Sequence, residues 1–174
     1  MSARTLRARG GRTSKTWGLL AGLCLLTLSA TAYADRGTIK FPGDHPNYAF
    51  ELEPHGLLEP FHDFHPGVGV RGTIEIVDNG FITKINNTVG IGFGLDWTSK
   101  SVWVPVVMQW NFWLSENWSV FGEPGAVLRI SDEKKKGLDY FAVYAGGRFH
   151  FSDTLTLTMR VGKPTASVGV SFLF

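Results

Sequence analysis

Three groups of residues in this chain have types and spacings that could do chemistry. His62-Asp-Phe-His65, with His45, His55 and Glu59 nearby in sequence, supplies imidazole and carboxylate donors of the kind zinc takes. His62 and His65 fall in a stretch read as loop, with no helix to fix ligand geometry, so solvated loop histidines are expected and no metal is assigned. His150-Phe-Ser152 places a base and a hydroxyl on one parity of an extended segment, and Asp153 follows. Those are the parts of an acyl hydrolase. Ser152 is expected in a turn with no evident oxyanion hole, so it is read as a solvated turn residue and no catalysis is assigned. The third group mixes signs nearly evenly: Arg71, Glu75, Glu123, Arg129, Arg148 and Arg160, with Glu51, Glu53 and Asp96 on the same parity of their segments. Such a set suits mutual pairing in an enclosed space, where a bidentate guanidinium–carboxylate pair offsets desolvation.

The elements that must position these residues show a period of two. In Thr88-Val-Gly-Ile-Gly-Phe-Gly-Leu-Asp-Trp97, the residues Val89, Ile91, Phe93, Leu95 and Trp97 face one way, with Thr88, three glycines and Asp96 opposite. The same alternation recurs over 67–77, 102–114, 118–130, 140–151, 154–162 and 166–174, and weakly over 48–58. No helical stripe appears after residue 34. Eight strands are predicted, with tight turns at 115–117 and 152–153 and longer polar connections at 59–66 and 131–137, as in an up-and-down meander. The connection over 78–87 is longer than that scheme expects, and the one over 162–165 is shorter. Pro54, Pro105 and Pro124 each remove a ladder hydrogen bond, so bulges or early strand ends are expected there, above all at Glu123-Pro-Gly125.

The chain has 174 residues, 44% of them hydrophobic, and a formal charge of +2. That charge is unevenly placed. Arg4, Arg7, Arg9, Arg12 and Lys15 precede an apolar run from Trp17 to Leu28 and the small-x-small pattern Ala32-Tyr-Ala34. This reads as a cleaved signal peptide over 1–34, its apolar run of roughly twelve residues being short for a membrane span. Removing it leaves twelve basic against fifteen acidic residues, a net −3. The only cysteine, Cys24, leaves with it, and no disulfide, thiolate nucleophile or Cys-ligated zinc is then expected. Residues 35–47, rich in Pro, Gly and charge, read as a flexible leader. No phosphate-binding glycine loop and no basic stripe for nucleic acid is present.

Alternation alone does not say which face is outside. All seven lysines after residue 34 fall in the leader, turns or loops, whereas a soluble barrel wants such charges along its exposed strand face. The polar parity carries paired signs instead. Trp97, Trp103, Trp113 and Trp118 gather near strand ends and are read as an aromatic girdle at headgroup depth. An apolar-out sheet in lipid must close, because an open edge would leave backbone groups unpaired.

The last strand, Val168-Gly-Val-Ser-Phe-Leu-Phe174, ends in Phe with apolar residues alternating back from it. It resembles the C-terminal signature of outer-membrane β-barrel proteins of Gram-negative bacteria. The pattern of residues 48–174 is similar to the small eight-stranded, porin-superfamily-like members of that family. The resemblance implies an all-β transmembrane up-and-down barrel in the outer membrane, with Phe172 and Phe174 as assembly signal. It also implies outer-membrane lipid and the barrel assembly machinery as partners, without nucleic acid or cofactor, and a monomer is expected. A barrel of eight strands is about filled by its own side chains. A structural or surface-interaction role without catalysis is therefore expected. A narrow porin-like channel is the alternative, and an outer-membrane lipid hydrolase a second one.

Overall fold

A computed structural model describes residues 36–59, 65–131 and 137–174. The proposed signal peptide, His62 and the Glu133–Lys136 loop tip lie outside these. Eight strands follow one another in the chain: β1 (Phe50–Glu59), β2 (His65–Val77), β3 (Asn87–Thr98), β4 (Ser101–Trp113), β5 (Trp118–Ser131), β6 (Gly137–Ser152), β7 (Leu155–Lys163) and β8 (Ala166–Leu173). Each pairs antiparallel with the next, and β8 returns to β1 to close the barrel. The all-β, eight-stranded up-and-down reading therefore stands. No helix among the described residues is long and apolar enough to cross a membrane.

Period two sorts the side chains by face. Each strand turns large apolar residues outward, among them Leu52, Val70, Ile91, Phe93, Val106, Val120, Phe141, Val161 and Val168. Glu51, Glu53, His55, Arg71, Asp96, Gln109, Glu123, Arg148 and Arg160 are buried inside. Gly94 admits Arg71 beside it, as its inward position suggests, whereas Gly92 stands opposite Val107, whose methyl would lie 2.9 Å from an added Cβ.

The three strand prolines leave the register unbroken where they stand. Each falls at a gap in one ladder: Pro54 between β1 and β8, Pro105 between β3 and β4, Pro124 between β4 and β5. The expected bulge at Glu123-Pro-Gly125 lies one step later, as a register shift between Gly125 and Val127 against β6. At Pro54 and Pro105 the loss of an N–H is absorbed without a bulge, because the opposite ladder keeps Pro54 paired with Val70 and Pro105 with Val127.

Two ends of the barrel can be distinguished. The turn end carries the β2–β3, β4–β5 and β6–β7 connections together with the C-terminal Phe174, whose backbone pairs with Phe50. The loop end carries the other connections. Residues 36–49, of which those up to 47 are expected in a flexible leader, are instead tied across the turn end. Gly37 bridges Ser115, Thr38 N donates to Leu114 O at 3.0 Å, and Asn86 N donates to Ile39 O at 2.8 Å. Asn86 Nδ2 donates to Asp44 O at 2.7 Å. Proline and glycine content signalled irregular backbone correctly, but irregular backbone with satisfied hydrogen bonds can be fixed.

Candidate functional site

The barrel interior is layered. At the loop end Trp103, Val107, Val127, Ala142 and Tyr144 form an apolar cluster. The indole N–H of Trp103 donates to Glu59 Oε1 at 2.6 Å, and the Thr98 hydroxyl donates to the same oxygen at 3.0 Å. The half-buried Arg129 lies 5.0 Å above the Trp103 ring and donates to Ser101 Oγ.

The middle layers hold the charges. Arg160 on β7 clasps Glu53 with Nη1 and Nη2, at 2.7 and 2.9 Å, and donates Nε to Glu123 Oε2 at 2.9 Å. Arg71 on β2 donates to that same Glu123 oxygen at 2.8 Å, and Gln109 Nε2 reaches Glu123 Oε1 at 3.0 Å. Arg148 on β6 bonds both oxygens of Glu51 at 2.7 Å. His55 bonds Asp96 Oδ1 at 3.0 Å, and the Thr165 hydroxyl donates to Asp96 Oδ2 at 3.1 Å. The Phe121 ring lies between two guanidiniums, 4.7 Å from that of Arg148 and 5.1 Å from that of Arg160.

Such a layer is stable only as a unit. A buried guanidinium without its carboxylate costs several kcal/mol, whereas the bidentate geometry and the aromatic faces satisfy most donors here. Glycine is required where the network crowds the wall. A Cβ on Gly69 would meet Asp96 Oδ1 at 2.7 Å, beside the His55 ring. The arrangement holds charge in place and fills the lumen with side chains.

A second aromatic layer closes the turn end. The His45 ring, 1% exposed, stacks on Trp113 at 5.4 Å, and Trp113 lies 4.6 Å from His150. His45 also bonds Asn86 Oδ1 at 2.7 Å and Asp78 Oδ1 at 3.1 Å. Tyr48 and Leu173 pack with Trp113 beneath this strap. Burial pushes the Tyr48 phenol well above its ordinary range, against the lowering effect of Arg148, so it stays neutral.

The sequence-predicted residues divide as follows. Arg71, Glu123, Arg148 and Arg160 meet in one network, joined by Glu51, Glu53 and Asp96 from the same parity. Glu75 is only half-buried, towards the turn end, and Arg129 belongs to the loop-end layer. Of the four girdle tryptophans, Trp97 (64% exposed) and Trp118 (41%) face outward. Trp103 and Trp113 do not: both are buried inside, at 5% and 1%. Both stand near the ends of β4, but their odd numbers put them on its inward row with Gln109 and Asn111. Phe172 and Phe174 face outward, and Phe174 O accepts the N–H groups of Ala49 and Phe50 at 2.7 and 3.1 Å.

The other two groups do not assemble. His55 lies in β1, as the first predicted strand has it, His65 opens β2 rather than lying in a loop, and His45 sits at the opposite end of the barrel from His65. No cluster of three metal-ligating residues occurs among the described residues. His150 has both ring nitrogens on hydroxyls, Ser119 and Thr156, each at 2.9 Å, whereas Ser152 is exposed and bonds Thr154. Sequence reasoning missed His55 and His45 as packed groups; the even spacing of Glu51, Glu53 and His55 was the available signal for the first.

No protein-family model matches the chain, and no curated protein sequence does. Among solved structures, the chain is similar to the de novo designed protein TMB2.3, determined by solution NMR. That match has a TM-score of 0.49 and 14% identity, covering 75% of this chain and 97% of the other. It is also similar to the Yersinia pestis outer membrane protein Ail in a phospholipid bilayer nanodisc. There the TM-score is 0.46 and the identity 11%, over 74% of this chain and all of the other.

Proposed function

We propose that this chain is an integral outer-membrane β-barrel protein with a structural or surface-interaction role and no open pore. One observation carries the reading: a closed barrel whose outward rows are apolar on all eight strands while its guanidiniums and carboxylates pair inside. A soluble barrel has the opposite polarity. The paired middle layer and the strap across the turn end support the absence of a water path. Outward Phe172 and Phe174 support their role as the assembly signal. Ser152, the nucleophile of the hydrolase reading, bonds Thr154 and not His150.

The test uses the chain without residues 1–34, refolded into detergent and into phospholipid vesicles. Folding should require the amphiphile and give a heat-modifiable band on unboiled gels. Planar bilayers should then show no reproducible unit conductance. A soluble folded monomer in plain buffer would overturn the membrane reading, and discrete conductance steps would replace the closed barrel with the narrow channel.

A further inference from the structure

The β2–β3 connection is longer than a tight turn, and its nine residues do not hang free. Asn87 opens β3 on the outward row shared by Ile91 and Phe93, where an amide side chain would face apolar surroundings. Its Nδ2 donates instead to Ile82 O at 2.9 Å and Ile85 O at 2.7 Å, and its Oδ1 accepts from the indole N–H of Trp110 at 2.9 Å. The connection is thereby fastened to the outer wall of the barrel. Val89 on the same row is fully covered, although Ile91 and Phe93 are 44% and 43% exposed. Phe81 packs edge-on against Trp110 at 5.8 Å. Gly80 has φ +46 and its Cα lies against Asn87, so a side chain there would displace the clasp.

This fold-back leaves Phe81 59% exposed and Ile82 39% exposed, side by side at the foot of the apolar wall, with exposed Lys84 two residues on. We propose that residues 80–85 form a foot that inserts Phe81 and Ile82 among the acyl chains of the phospholipid leaflet at the turn end, with Lys84 at headgroup depth. The occupant is a phospholipid surface because Phe81 joins the outward row of β4 through Trp110 and an exposed cation, Lys84, follows Ile82 by two residues, the pairing of hydrocarbon and phosphate contacts that a leaflet offers. The inference rests on the membrane reading above.

The mature chain lacks cysteine, so Phe81→Cys, Ile82→Cys, Ile91→Cys and Glu116→Cys each give a single attachment point for a fluorophore. The labelled proteins are reconstituted in phosphatidylcholine–phosphatidylglycerol vesicles carrying a nitroxide either near the headgroup or at the chain end. Labels at 81 and 82 should lose emission mainly to the shallow nitroxide, the label at 91 mainly to the deep one, and the label at 116 only to aqueous iodide. A label at 91 quenched by lipid while 81 and 82 behave like 116 would overturn the foot alone. No lipid quenching at 91 would overturn the membrane reading and the foot with it.

Discussion

Glu123 is a junction of the interior, because Arg71, Arg160 and Gln109 all end on its carboxylate. Its Ala variant would leave two buried guanidiniums short of a partner, a deficit of about 3–5 kcal/mol. Urea unfolding in micelles should show that loss, and a change under about 1 kcal/mol would mean the network relaxes around the gap. At the other extreme, Ser152→Ala should leave unfolding unaffected, since that hydroxyl touches only Thr154. His45 is intermediate: its ring stacks on Trp113 and bonds Asn86 and Asp78. His45→Ala should cost roughly 1–2 kcal/mol and open Arg36 and Lys40 to trypsin, while the strands stay resistant. Equal digestion of variant and parent would show that the strap holds without the stack.

At the scale of the strand, the membrane reading requires an outward-facing charge to cost more at mid-strand than near a strand end. Ile91→Arg should cost about 2–4 kcal/mol, whereas Trp97→Arg, near the strand end, should cost about 0–1 kcal/mol. Equilibrium unfolding in vesicles distinguishes them, and equal costs would overturn the depth assignment. All eight strands were legible in sequence, because parity is a local property: Val89 to Trp97 declares its faces without reference to any other part of the chain. The same rule applied strictly would have turned Trp103 and Trp113 inward. What parity cannot supply is the partner across the lumen. Arg148 meets Glu51 across 97 positions and Arg160 meets Glu53 across 107, distances set by closure and shear. The strap was illegible for another reason. Besides the His45 contacts, its order comes from backbone bonds to Leu114, Asn86 and Phe174, and backbone groups leave no mark on residue type.

For the molecule as a whole, the proposed closed barrel has its lumen blocked at three depths: aromatic at the loop end, ionic in the middle, aromatic again beneath the strap. Opening any one should therefore leave the bilayer sealed. Glu59→Ala at the loop end should still give silent planar bilayers, and conductance from that change alone would show the inner layers to be leaky. The strap also sets an order in time. At one end it is held by the β4–β5 turn, through Thr38 and Leu114, and at the other Ala49 is held by Phe174, the final residue of the chain. Both ties exist together only once the last strand has met the first. Protection of Lys40 from trypsin should consequently lag behind the appearance of the heat-resistant barrel during refolding, making residues 36–49 a clock hand that stops when the circle is complete.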